Sequence, residues 1–352
     1  MTEPRTWCAD RARWGGLVIA LSALGCRGEQ SALDPRGPQA AHIFELTKVL
    51  VVGATVVFVL VMAFLVAALM LGKRRPPGDE PLDEEDQGGV TVPKEHRKIR
   101  AVSAAVGITA ATLVALLVYD VTIARAIAWA PGGDALTVNV VGHQWWWEVT
   151  YRDASTESGI ARTANEIHIP VGRRVVIELE SRDVIHSFWV PNLHGKMDAV
   201  PGRKNVLVLQ ADEPGVYRGQ CAEFCGLAHA KMAFYVVAEP PEDFERWLER
   251  QARPAEPPTD PLALRGQEIF LTRPCATCHS VRGTTAMASA GPDLTHVGSR
   301  RSLGSGALPN TRGNVAGWIL DPQHAKPGTL MPATPLDADS VEALLAYLFS
   351  LD

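Results

Sequence analysis

The chain has 352 residues, room for two or three domains, with a net charge of -5 and a pI near 6.1. That balance carries no basic footprint, so nucleic acid is excluded as an expected partner. Six cysteines, grouped in pairs, leave no surplus for a disulfide framework. The 47% hydrophobic content is average, but two long apolar runs hold much of it. That distribution reads as a membrane protein with large soluble parts.

Residues 1–26 read as a targeting segment. Arg5, Arg11 and Arg13 precede a short apolar run at 15–25, too short to span a bilayer. The run ends in Ala23-Leu24-Gly25-Cys26, which resembles a lipoprotein cleavage site with Ala23 where Leu is usual. An ordinary signal peptide is the alternative. A transmembrane hairpin is expected over 40–130, with spans at about 46–71 and 99–124. Each span has the roughly 20 apolar residues needed to cross ~30 Å of hydrocarbon. The loop between them carries Lys73, Arg74, Arg75, Lys94, Arg97 and Lys98. The positive-inside rule places that loop in the cytoplasm despite the acidic stretch at 79–86, and places everything after residue 125 outside. Glu95 is given no role.

From 135 to 240 the pattern becomes short β-branched runs separated by Gly and Pro: 136–141, 166–170, 174–180, 206–209 and 233–238. These predict an antiparallel sandwich or barrel. A short helix is expected at 242–253, inside a 241–261 linker that ends in a proline-rich, semi-rigid run. Residues 262–352 read as helical, with helices at 263–271, 315–320 and 339–351, the last with Ser340 near its cap.

The run Cys221-Ala-Glu223-Phe-Cys225-Gly-Leu-Ala-His229-Ala-Lys-Met232 is a soft ligand set. Thiolates with imidazole and thioether suit copper engaged in electron transfer. A zinc site of two Cys and two His is chemically possible, but it has no use for the Met. A further ligand must come from elsewhere, and His186 in Asp183-Val-Ile-His186-Ser is the best source, on a loop beside the copper loop. Two bridging thiolates would hold two copper ions, with His186 on one and His229 on the other. Met232 and the carbonyl of Glu223 would be weak ligands. His143, His168 and His194 read as surface or structural residues.

Residues 40–240 resemble subunit II of the haem–copper cytochrome c oxidases. The resemblance rests on Gly142-His-Gln-Trp-Trp-Trp147, Asp183-Val-Ile-His186-Ser, Lys196-Met-Asp-Ala-Val-Pro-Gly-Arg203, Gly219-Gln-Cys221-Ala-Glu-Phe-Cys225-Gly and His229-Ala-Lys-Met232. It implies a two-helix hairpin followed by a cupredoxin-like β-barrel holding the binuclear centre copper A. The implied ligands are His186, Cys221, Glu223 through its carbonyl, Cys225, His229 and Met232. The Glu223 side chain is implied to help hold a magnesium ion shared with subunit I. Quinol-oxidising relatives lack the copper cysteines, so both cysteines favour a cytochrome c route. Trp145 is implied to be the exposed residue that receives the electron. On a strand, Trp145 and Trp147 would share one face and Trp146 the other.

Cys275-Ala-Thr-Cys278-His279 is a haem-attachment motif: two thioether bonds fix the haem and His279 is the proximal ligand. A thioredoxin-like pair is disfavoured by the following His and by the lack of a βαβ pattern. Met331, in Gly328-Thr-Leu-Met331-Pro, is the expected sixth ligand. Met287 is too near the attachment site, and His296 and His324 compete. The region resembles a small c-type cytochrome domain, with Gly291-Pro-Asp-Leu294 in support.

The expected whole is a multidomain membrane protein: a transmembrane hairpin, a cupredoxin-like β-barrel and an all-α cytochrome c domain. The resemblance implies the electron-input subunit of a caa3-type cytochrome c oxidase, an oxidoreductase and translocase. Electrons would pass from covalent haem c to copper A and on to subunit I for oxygen reduction with proton translocation. Implied partners are subunits I and III and an external donor, such as a c-type cytochrome or a quinol–cytochrome c reductase. The implied location is the bacterial inner membrane, with the metal domains periplasmic. The predicted spans contain no histidine, so oxygen chemistry is not expected in this chain. A freestanding membrane-anchored electron carrier is the alternative.

Overall fold

A computed structural model describes residues 28–72, 93–128, 135–152 and 160–352. The leader with Cys8 and Cys26, and most of the basic loop, lie outside the described residues. The chain divides into two units, residues 42–129 and the rest.

The first unit is built on helices α1 (Pro38–Gly72) and α2 (Pro93–Ile127). Their apolar side chains are exposed all round, among them Phe58, Phe64, Ile108 and Leu113. A helix with no polar face needs an apolar solvent. The best windows have mean hydropathies of 3.1 and 2.3. Thirty-five residues give each helix about 52 Å of length. The helices therefore outrun the predicted spans 46–71 and 99–124. Helical hydrogen bonding continues into the polar flanks, and His42 and His96 sit in those terminal turns.

The second unit starts with ten strands: β1 (Leu136–His143), β2 (Trp146–Arg152), β3 (Ile160–Ala164), β4 (Glu166–Pro170), β5 (Val175–Ser181), β6 (His186–Trp189), β7 (Met197–Ala199), β8 (Asn205–Leu209), β9 (Gly215–Cys221) and β10 (Ala233–Glu239). They form two five-stranded sheets, ordered β3-β2-β1-β5-β8 and β4-β10-β9-β6-β7. The sheets are mixed: β1 runs parallel to β5 and β4 to β10. The expectation of a purely antiparallel sandwich is corrected to that extent.

Alternation builds the core. Trp147, Val149 and Tyr151 occupy alternate positions of β2 and are fully buried. The Trp147 ring meets Phe234 at 5.5 Å, His186 at 5.8 Å and Phe188 at 6.1 Å, all edge-on. These edge-to-face contacts complement the ring quadrupoles. Trp145 is not on the strand: residues 144–145 form a turn, so the predicted sharing of a face with Trp147 does not occur. His186 opens β6 instead of lying on a loop. Residues 28–41 strap the sandwich, where Asn192 Nδ2 donates to Gly28 and Asp34 carbonyls and Ala40 N to Leu193 O.

Helix α3 (Pro241–Ala252) buries Phe244, Trp247 and Leu248, an i, i+3, i+4 stripe, against the sandwich core. Trp247 stacks on His168 at 4.0 Å. His168 is held between Glu239, 3.2 Å away, and Glu166, 3.9 Å away.

The C-terminal part contains α4 (Pro261–Thr272), the single turn α5 (Cys275–Cys278), the short pair β11 (Ser302–Leu303) and β12 (Leu308–Pro309), α6 (Arg312–Leu320), α7 (Pro322–Ala325) and α8 (Ala338–Leu348). Phe270 of α4 meets Tyr347 of α8 at 5.8 Å inside a second apolar cluster. The α8 cap is Asp337, whose carboxylate accepts from Ser340 N at 2.8 Å, so Ser340 lies inside the first turn. The proline-rich run is pinned: Ala255 N donates to Arg282 O, and Arg282 Nη1 donates to Ala252 O.

Burial works to lower the His168 pKa, but hydrogen bonds with Glu166 and Glu239 outweigh it and the net shift is upward. A raised folded-state value gives stability that is complete below the ordinary histidine range and lost as pH rises through the folded value. Thermal unfolding of the full chain followed against pH should show the wild type losing its advantage over His168→Gln as pH rises. Parallel curves would show that the charged imidazolium contributes nothing.

Candidate metal centre and haem-attachment site

Cys221 ends β9, and the chain then turns through 222–228 into the 3-10 turn His229–Lys231 before β10. That turn brings the motif's ligand atoms back over β6. Cys221 Sγ lies 3.8 Å from Cys225 Sγ and 3.9 Å from His186 Nδ1. Cys225 Sγ lies 3.6 Å from His229 Nδ1 and 3.8 Å from Met232 Sδ. The carbonyl of Glu223 is 3.2 Å from Cys221 Sγ. Cys221, Cys225, Met232 and His186 are all at most 4% exposed. All six predicted ligand groups converge. Each sulfur faces one imidazole of its own, and the two sulfurs face each other. Such an arrangement of sulfur and imidazole can hold soft metal ions.

The Cys221 thiol is pulled down by hydrogen bonding from Cys225 and His186, and Cys225 is pushed up by its hydrogen bond to Cys221 and by burial. A thiolate is already the stable form, as a metal ligand requires.

Two residues set the His186 ring. Asp183 Oδ1 lies 2.8 Å from Nε2, which leaves Nδ1 for the sulfur side. Gly142 lies beneath the ring, where a Cβ would come within 2.7 Å of it. Asp183 also accepts from Gln144 N at 2.7 Å. The turn at 144–145 is tied to the metal loop as well: Gln144 Nε2 and Trp145 Nε1 both donate to Cys225 O, at 2.8 and 3.0 Å. Trp145 is half-buried. Trp146 stacks on His143 at 4.3 Å, and His143 pairs with Glu148. The half-exposed Glu223 carboxylate lies 3.4 Å from Lys196. His194 is lowered by burial.

In the C-terminal part, Cys275 and Cys278 flank one helical turn, with His279 at its C-cap. His279 Nδ1 donates to Pro292 O at 2.8 Å, so Nε2 is the free ligand nitrogen. Burial pushes the His279 pKa down, which keeps the ring neutral. Gly291 lies against this ring, where a Cβ would come within 2.7 Å. Gly291-Pro292 is therefore the seat of the histidine. Cys275, Leu294 and Met331 line the same apolar cluster. Met287 points to solvent, 74% exposed. Both ring nitrogens of His296 are engaged, by Asp352 O and Arg253 O, so it has none to offer a haem. His324 is exposed on α7. Cys275, Cys278 and His279 fit a covalently held haem, and Met331 lies against the same apolar cluster.

Sequence reasoning missed Asp183, Pro292 and Lys326. Asp183 had a signal, an acid three residues before a ligand. Lys326 had none: it stands in a Pro-Gly loop, yet it is 2% exposed. Its Nζ donates to Trp145 O at 2.6 Å and Gly304 O at 2.8 Å. Burial pushes its pKa down to about 7, against the opposing pull of Cys225.

Residues 136–239 match the family described as cytochrome C oxidase subunit II, periplasmic domain, and residues 263–352 match the cytochrome c family. A cytochrome c oxidase subunit 2 from Alkalihalophilus pseudofirmus is 36% identical over 346 residues, covering 95% of this chain and 94% of that protein. The Bacillus subtilis protein of the same name is 35% identical over 229 residues, 62% of this chain and 63% of its own length. Among solved structures, the periplasmic domain of cytochrome oxidase subunit II from Bradyrhizobium japonicum is 30% identical with a TM-score of 0.32. That alignment covers 35% of this chain and 96% of the other.

Because Asp183 fixes the His186 ring, Asp183→Ala should weaken metal binding about ten- to a hundredfold in a competitive chelator titration. The thermal unfolding midpoint of the metal-free protein should also fall somewhat, because Asp183 accepts from Gln144 N and Val184 N, so the affinities are compared where both proteins are folded.

Proposed function

The chain belongs to the cytochrome c oxidase subunit 2 family, and on that premise we propose that it is the electron-input subunit of a caa3-type oxidase. The family makes it part of an oxidoreductase complex with a subunit I partner. The subunit II domain implies copper A, and the cytochrome c domain implies haem c. Two apolar helices anchor it, with the metal domains on the periplasmic side. We place it in the bacterial inner membrane, with subunit III as a further partner and a c-type cytochrome or quinol–cytochrome c reductase as donor.

His186, Cys221, the Glu223 carbonyl, Cys225, His229 and Met232 would hold copper A. Cys275, Cys278, His279 and Met331 would hold haem c. When bound, these groups supply successive one-electron carriers on the way to subunit I, where oxygen is reduced and protons are moved. The protein's own part is positional. The buried sulfur pair is held by one turn between two strands, and His186 arrives on a third strand with its ring fixed by Asp183. Trp145 joins the outer face to the metal loop through its indole N–H to Cys225 O. The Glu223 side chain, beside Lys196 and turned away from the sulfurs, is assigned to the magnesium shared with subunit I.

The observation that carries the reading is the sulfur pair 3.8 Å apart, each sulfur with its own imidazole, on a chain that also bears a complete haem-attachment motif. The purified full chain should contain two copper ions per covalent haem and should copurify with a histidine-rich, haem-bearing membrane subunit. One copper, or zinc, overturns the binuclear assignment. Isolation of the metal-loaded chain without such a subunit favours a freestanding carrier.

A further inference from the structure

The cytochrome c domain lies against the sandwich on the side that carries Trp145. Across this junction Ala233 N donates to Ser305 O at 2.9 Å, Ser305 Oγ to Ala233 O at 2.6 Å, Arg301 N to the Glu166 carboxylate at 2.6 Å and the exposed Lys231 Nζ to Ala325 O at 2.6 Å. The contact made by Lys326 differs from these in being a buried side-chain donor with an acceptor on each side. Lys326 carries its ammonium into the junction at 2% exposure. A buried ammonium is costly unless its protons find acceptors. Here it finds two, one on each side. Trp145 O belongs to the sandwich, and Gly304 O belongs to the cytochrome domain's own β-turn.

The position of this lysine in the chain gives the contact its meaning. It precedes Met331 by five residues, in the loop that presents the expected axial ligand. Gly328, between them, lies against Leu227 of the metal loop. On the other side, the residue that accepts from Lys326 donates its indole N–H to Cys225 O. One run of contacts thus joins the haem-ligand loop, Lys326, Trp145 and the metal loop. An apolar side chain of the same length would fill the space without the desolvation cost. It would not fix the register of the loop against one particular carbonyl.

We propose that Lys326 is a positioning residue for electron transfer within the chain, holding the Met331 loop in one register against Trp145. The inference rests on the haem-to-copper reading above. In the transfer that it positions, one electron leaves the reduced haem and one is gained by the oxidised copper pair. No bond is made or broken in Lys326.

The test is Lys326→Met in the assembled oxidase, with two readouts. Hydrogen exchange at the Ala233 amide reports the junction directly, and the Val149 amide in the sandwich reports the fold. Exchange at Ala233 should rise about tenfold, with Val149 unchanged, on loss of a charge-assisted tie. After rapid photoreduction of the haem, transfer to copper should slow about tenfold and become dependent on solvent viscosity, because the domain must re-dock. In the wild type it should be independent of viscosity. An unchanged rate overturns the proposal, whatever Ala233 does. A slower rate with Ala233 still protected and no viscosity dependence also overturns it, because Lys326 would then act on coupling or potential and not on position. Trp145→Phe separates the two readings. If it leaves the rate unchanged while Lys326→Met slows it, the relay through the indole fails and the positioning role stands. If the wild-type chain passes no electron from haem to copper, the functional reading fails and takes the proposal with it.

Discussion

Cys225 is the residue on which the rest of the site depends, because two of its atoms serve two different structures. Its sulfur faces Cys221, His229 and Met232. Its carbonyl accepts from both the Gln144 amide and the Trp145 indole. The turn at 144–145 is in turn tied to Asp183, which orients His186. The ligand pocket and the aromatic residue outside it therefore form one hydrogen-bonded assembly. Moving the turn moves the histidine, and moving the loop moves the tryptophan. Beneath them, the buried Trp147 with Phe188 and Phe234 gives both a rigid floor.

The extent to which this was legible in the sequence depends on how local each signal is. The Cys221–Met232 run was readable because five of its ligand groups fall within twelve residues. Cys275–His279 was readable for the same reason. Strands with clean alternation or β-branched runs, such as β1, β5 and β10, were also visible. β6 was not: His186, Ser187 and Phe188 are all buried, so no alternation marks it, and His186 was read as a loop residue. β2 was hidden by its tryptophans, which drew attention as candidates for electron transfer. The turn before it resets the alternation, which is why Trp145 and Trp147 do not share a face.

Contacts between distant segments left no trace in the sequence. Asp337 and not Ser340 caps α8, a choice decided by one hydrogen bond. Gly291-Pro-Asp-Leu294 was legible as a match to a c-type cytochrome domain, but the seat it makes for the His279 ring was not. Lys326 had the sequence context of a solvated loop lysine, and only the meeting of two domains buries it. The linker was expected to act as a semi-rigid tether, and its hydrogen bonds to Arg282 hold it closer than that.

The chemistry of the junction has a consequence for how turnover responds to its surroundings. Freely diffusing redox partners find one another through complementary charge, and their encounter weakens as ionic strength rises. Here the two domains meet through backbone amides and carbonyls, the buried Glu166 carboxylate, the buried Lys326 amine and the exposed Lys231 ammonium. Apart from Lys231, these groups are withdrawn from mobile ions, which have little to screen there. The contact between the domains should therefore respond to salt only weakly, and most of the salt sensitivity belongs to the encounter with an outside partner.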